Sequence, residues 1–208
     1  MQIMSLWKLM IAGGPFMWPI VLCSVFALSL IIDKITFLHR IEKGSGQFLK
    51  DIFNHVRRHE IKEALDDCER NNLPIAAILK AALLRYDRPR TQVKEAIEDA
   101  ALYEIPHIEK NLPILATVAN ILPLLGFLGT VAGMVSCFHA VELRIAATEP
   151  VLAGDLVAGI WKALIAAIAG LTVAIPVLIA YNYFVSRINM IVLEMERVST
   201  EFLNLLTE

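Results

Sequence analysis

Apolar positions along this chain collect into three long runs, and charged positions are confined almost wholly to the stretches between them. The first run covers residues 15–32 and stops at Asp33-Lys34. The second covers residues 112–141 and is closed by Glu142; the third covers residues 156–185 and is interrupted by one formal charge, Lys162. A helix rises about 1.5 Å per residue, so about 20 apolar residues cross a hydrocarbon core. Each run therefore predicts a transmembrane helix, and buried core helices of a soluble protein are seldom this long.

Between the first and second runs the periodicity changes to that of amphipathic helices. Phe48, Ile52, Phe53 and Val56, then Ile61, Ala64, Leu65 and Cys68, recur at helical spacing among charges. Gly44-Ser45-Gly46 predicts a break soon after the first span, and Asn71-Asn72-Leu73-Pro74 predicts a turn. A helix is expected from Ile75 to Tyr86, ended by Arg88-Pro89-Arg90. Thr91 is the expected N-cap of the next helix, with Glu95 in its early turns. No glycine interrupts the pattern from there, so a single helix is expected to run to Val141, bent at Pro106, Pro113 and Pro123. It would be about 75 Å long. The third run likewise continues through Ile188, Ile191, Val192, Met195, Val198 and Phe202, with Arg187, Glu194, Glu196, Arg197 and Glu201 on the opposite face. The fold class read from these patterns is an all-α integral membrane protein. It has three transmembrane helices, two of them extended into a cytoplasmic helical bundle.

Composition agrees. Apolar residues are 57% of the 208 and charged residues 19%; mean hydropathy is +0.60. Soluble domains are roughly 45–50% apolar. Of the 19 Lys and Arg, fourteen lie between Asp33 and Asn111, one precedes the first span and one (Arg144) follows the second. The positive-inside rule then places residues 33–111 (a cytoplasmic helical domain) and the C-terminal helix 186–208 in the cytoplasm. The N-terminal segment 1–14 and the loop 142–155 face the other side of the membrane. Fourteen Asp and Glu offset the basic residues of 33–111, so no nucleic-acid partner is expected. The opening residues lack a basic stretch followed by a cleavage site, so the first span is expected to stay as an anchor. Leu6, Trp7, Leu9, Met10 and Ile11 before Gly13-Gly14-Pro15 predict a short interfacial helix. Cys23, Cys68 and Cys137 are read as packing residues. His39, His55, His59, His107 and His139 are scattered without ligand spacing, so neither a metal, a cofactor nor an enzymatic activity is expected.

Within the spans, Gly126, Gly129 and Gly133, and Ala163, Ala166, Ala167, Gly170 and Ala174, form small-residue faces that let backbones approach. They offer more close contacts than three spans can use among themselves, which predicts a homo-oligomer. Thr117, Asn120, Thr130, Ser136, Lys162 and Thr172 are the polar groups expected to face protein or water. Lys162 has two readings: a lysine snorkelling to the outer interface, or a functional cation.

Leu125-Gly126-Phe127-Leu128-Gly129-Thr130-Val131-Ala132-Gly133-Met134 resembles the LLGLLGTVWGM signature of the MotA/TolQ/ExbB proton channel family. Gly159 to Pro176, reading GIWKALIAAIAGLTVAIP, resembles its third-span signature GIxEALxxTAxGLxVAIP, and Tyr181-Asn182 fits as well. Gly13 to Pro19 is similar to the start of short ExbB- and TolQ-like chains. The four spans usual in flagellar stator subunits make the MotA branch a poorer fit than three. The resemblance implies a bacterial inner-membrane subunit, five copies of which surround a single-span partner of the ExbD/TolR type. Such a complex couples the proton motive force to TonB-like or TolA-like periplasmic machinery. It also implies a pore lined by Thr130, Lys162, Ala167, Asn120 and Thr172, with Gly126, Gly129, Gly133, Ala166, Gly170 and Pro176 packing the helices.

This sequence departs from the family pattern at two positions. Lys162 stands where the third-span glutamate is usual, and Ala167 where the threonine is. Counting helix rise from the loop puts Thr130 and Ala167 at similar depth, facing each other across antiparallel helices. Two functions follow: an energising channel subunit, or a scaffold of the same architecture that conducts differently or not at all.

Overall fold

The computed structural model describes residues 13–148, 150–151 and 153–207. The expected interfacial helix at Leu6–Ile11 lies outside them. Six helices account for nearly all of the rest: α1 (Met17–Arg57), α2 (Ile61–Arg70), α3 (Pro74–Leu83), α4 (Arg90–Glu109), α5 (Leu112–Ala146) and α6 (Ala153–Thr207). Among the described residues, three helical stretches are long and apolar enough to cross a membrane, namely Met17–Arg57, Arg90–Ala146 and Leu156–Leu206. The protein is an all-α membrane protein. The chain divides into two compact units. One takes the described part of Met1–Ile31 with Pro113–Asn182, the other Ile32–Leu112 with Tyr183–Glu208.

In the first unit, α1 buries Met17, Ile20 and Ala27 along one stripe while Leu22, Val25, Phe26 and Leu28 stay exposed. Only 17% to 33% of each apolar window is buried. These helices are therefore apolar all round, as lipid-facing helices are, rather than apolar on one face.

The second unit has an ordinary hydrophobic core. From α1 come Leu38, Ile41, Phe48, Ile52 and Val56; from α3, Ile75, Ile78, Leu79 and Leu83; from α6, Phe184, Ile188 and Phe202. Helix α2 packs on α3, and α3 on α4. Polar ties join the elements: Lys80 Nζ to Glu69 at 2.9 Å, Arg187 to Glu42 at 3.0 Å, and Arg90 donating to the Asn204 side-chain oxygen at 2.6 Å. His55, in the last turn of α1, has Nδ1 2.7 Å from Glu60 and Nε2 3.5 Å from Asp67 of α2.

Three local expectations are corrected. Helix α1 runs straight through Gly44-Ser45-Gly46. A β-carbon at Gly44 would meet Leu73 Cδ2 at 3.1 Å, so this glycine makes room for Leu73 against the helix instead of ending it. Thr91 is not the cap of α4; Pro89 is, its carbonyl accepting from Gln92 N at 2.8 Å and Val93 N at 3.3 Å. The expected single helix from Thr91 to Val141 is interrupted at Lys110 and Asn111, where Asn111 takes φ +70°. Pro113, in the opening turn of α5, has no N–H to continue the hydrogen-bond ladder from α4. Pro106 and Pro123 are absorbed inside α4 and α5.

That break is held from across the unit. Lys34, only 5% exposed, donates from Nζ to the Ile108 carbonyl at 2.6 Å and to the Lys110 carbonyl at 2.8 Å. The same ammonium lies 5.3 Å from the Phe37 ring centre, and Phe37 meets His107 edge-on. Carbonyls at a helix end have no partner in their own helix, and the lysine supplies one.

Two outcomes follow. Lys34→Met should lower the stability of the detergent-solubilised protein by about 2–3 kcal/mol, because two carbonyls lose a charged donor; thermal unfolding measures it. Cys68 is buried, and burial, reinforced by the Asp67 charge against that of Lys80, pushes its thiol from 9.0 up to about 12. The stability due to this neutral thiol is intact below 9.0 and is lost as pH rises toward 12. At neutral pH, maleimide should label Cys68 only after denaturation, as peptide mapping by mass spectrometry would reveal.

Candidate functional site

Helices α5 and α6 meet along a seam of small residues, and the seam is closer than side chains would allow. A β-carbon at Gly170 would lie 2.8 Å from the Leu122 carbonyl oxygen and 2.9 Å from Gly126 Cα. One at Gly126 would meet the Ala166 carbonyl oxygen at 3.1 Å and Ala167 Cα at 3.2 Å. At Gly129 the obstacle would be Ala166 Cβ at 2.7 Å, and at Gly133 it would be Ala163 Cβ at 2.8 Å. Gly159 faces Cys137, whose Cβ would be 2.6 Å away. Apolar side chains gain nothing by leaving lipid for each other, so membrane helices associate through close van der Waals packing, and small residues permit it.

This register puts Thr130 within a residue of the level of Ala167, as helix rise predicts. Yet the residues that touch are Gly129 with Ala166 and Gly126 with Ala167. Thr130 is half-buried beside the seam, and its hydroxyl donates to the Phe127 carbonyl. The other hydroxyls do the same: Thr117 to Pro113, Ser136 to Ala132 at 2.8 Å, Thr172 to Ile168 at 2.7 Å. Each is satisfied by its own helix backbone, so none of them needs protein or water opposite. Asn120 and Thr172 are exposed, as is Pro176, which lies within α6.

Lys162 is exposed as well. Its stem crosses the Gly13-Gly14-Pro15 turn, where Gly14 has φ +78° and a β-carbon would meet Lys162 Cε at 2.9 Å. Together they border a cavity of about 280 Å³ that also touches Phe16, Gly133, Ser136 and Cys137. Sequence reasoning did not bring Gly14 to Lys162 or Cys137 to Gly159. The second pairing had a signal, since Gly159 lies four residues before Ala163 on the same stripe. The first had none, because it joins residues far apart in sequence, one just before the first apolar run and one within the third.

Residues 70–197 match the family described as the MotA/TolQ/ExbB proton channel family. The chain is 29% identical over 173 residues to the biopolymer transport protein ExbB-like 3 of Synechocystis sp., covering 83% of this chain and 81% of that protein. It is 26% identical to the Tol-Pal system protein TolQ of Pseudomonas aeruginosa over 203 residues, 90% of this chain and 86% of the relative. With the biopolymer transport protein ExbB of Aquifex aeolicus it shares 33% identity over 145 residues, 68% of this chain and 94% of that one.

The seam makes a graded prediction. Gly170→Ala pushes a methyl into backbone and should destabilise the protein by about 1–3 kcal/mol. Gly154, with nothing within 4 Å of its would-be β-carbon, should accept alanine with no loss or a gain of about 0.5–1 kcal/mol. Thermal unfolding of both variants in one detergent compares them.

Proposed function

This chain belongs to the MotA/TolQ/ExbB proton channel family, and we propose that it is the multi-copy channel subunit of an ExbB/TolQ-type complex in the inner membrane. Five copies surround a single-span partner of the ExbD/TolR type, and proton flow through the assembly drives TonB-type or Tol-type work in the periplasm. Residues 15–32, 112–141 and 156–185 span the bilayer, with the N-terminus periplasmic and residues 33–111 and the C-terminus cytoplasmic. The relatives, named as biopolymer transport and Tol-Pal proteins, support a transport role over an enzymatic one.

The observation that carries this reading is the α5–α6 seam. Both family signatures lie on it, with Thr130 within a residue of the level of Ala167 and Lys162 more than a turn further toward the start of α6. Thr130, Lys162, Ala167, Asn120 and Thr172 line the ion path in this proposal, and the glycines and alanines of the seam hold its walls.

Lys162 favours a second reading. Repeated around a five-fold axis it forms a ring of cations at the mouth of the path, and such a ring repels protons where carboxylates would attract them. On this reading the assembly keeps the family architecture and serves as a scaffold with an altered or closed path.

Two measurements test the proposal. The native mass of the solubilised complex, expressed with its neighbouring genes, should equal five copies plus small single-span chains; a monomer, or an oligomer with no such chain, would overturn it. In proteoliposomes, Lys162→Glu combined with Ala167→Thr should raise proton flux by at least about tenfold, since reversing the ring's charge changes the entry barrier by more than 1.4 kcal/mol. Unchanged flux would mean that these positions do not control conduction.

A further inference from the structure

Lys162 is the only Lys, Arg, Asp or Glu within the second and third apolar runs. Among the described residues its ammonium has no hydrogen-bond or ion-pair partner. An uncompensated charge in a membrane span is costly, and such groups are found paired or facing water. The structure supplies half of a pairing site. The lysine stem is laid across the Gly14 turn, where only a glycine leaves room for it and where φ is +78°. This places Lys162 on the lining of the 280 Å³ cavity.

The rest of that cavity has little to offer an ion. Phe16, Ala132, Gly133, Ala140 and Ala163 give it apolar walls. The Ser136 hydroxyl is already committed to the Ala132 carbonyl. A small hydrated anion entering here would shed water and gain one cation in return, which is a poor exchange. An amphiphile fares better. Its charged group meets the ammonium while its chain occupies the apolar slot, the division of labour that long cationic side chains beside apolar surface favour.

We infer that the cavity beside Lys162 binds an anionic phospholipid, with its phosphate on the Lys162 ammonium and part of an acyl chain against Phe16, Gly133 and Ala163. The Gly14 turn is a positioning element for this site, because a side chain there would push the lysine stem away. The inference rests on the membrane placement of α5 and α6 and not on conduction.

The test uses the full complex in nanodiscs of phosphatidylcholine containing a minor share of phosphatidylglycerol, with retained lipid read by native mass spectrometry. The wild-type protein should retain phosphatidylglycerol in preference to phosphatidylcholine. Lys162→Gln should lower that retention by roughly tenfold, the loss of one charge-assisted contact, and Lys162→Arg should preserve it. Equal retention of the two lipids, or retention unchanged in Lys162→Gln, overturns the site. Displacement of the lipid by inorganic phosphate overturns the phospholipid assignment in favour of a free anion. Complex mass is read on the same preparations, so loss of the lipid site in Lys162→Gln with the five-copy mass intact leaves the channel proposal standing.

Discussion

The close approach of two backbones at Gly126 and Gly170 is the constraint from which the membrane unit follows. With 2.9 Å separating a would-be methyl on one glycine from Cα of the other, α5 and α6 can sit in one register only. A shift of one residue would turn alanine and leucine side chains into that contact. The register then sets everything along the two helices: Gly133 against Ala163, Cys137 against Gly159, and Lys162 delivered to the Gly14 turn. No hydrophobic drive brings membrane helices together, so shape does this work. The chemistry of the site is placed by residues that have none of their own.

The two units solve the problem of polar groups differently. In the membrane unit, hydroxyls of Thr117, Thr130, Ser136 and Thr172 fold back on carbonyls three or four residues earlier. Those hydroxyls thereby spend their protons inside their own helices, and much of the helix surface is apolar: Phe127, Val131, Leu171 and Ile175 are all exposed. The other unit joins helices through side chains, as between Glu69 and Lys80, Glu42 and Arg187, or Arg90 and Asn204. Those contacts reach across elements and are held above an apolar core that includes Phe53 edge-on to Phe202.

Three helices apolar enough to span, the helical class and the small-residue faces were legible in the sequence because they depend on composition and local period. The errors fell where a distant residue decides a local outcome. Gly44-Ser45-Gly46 reads as a break, yet Leu73 packs into the space the glycine leaves and the helix continues. Thr91 reads as a cap, yet Pro89 already caps the helix two residues earlier. The pattern from Thr91 to Val141 reads as continuous, yet Pro113 and the left-handed Asn111 divide it. Lys34 looked like one more charge at the edge of a span, and nothing near it in sequence announced two carbonyls more than seventy residues away. The level of Thr130 with Ala167 was recoverable from helix rise, whereas the identity of the touching atoms was not, because it depends on helix rotation as well as rise.

The reach of Lys34 also carries a consequence for how the molecule is assembled in time. Its two acceptors lie 74 and 76 residues further along the chain. As the polypeptide is synthesised, this ammonium emerges early and stays hydrated until α4 has been completed. Burying it before then would leave its two carbonyl bonds unmade, with the neighbouring Asp33 charge offsetting only part of the desolvation cost. Satisfying this buried ammonium is therefore tied to a contact of long sequence separation, the kind that slows folding relative to local contacts.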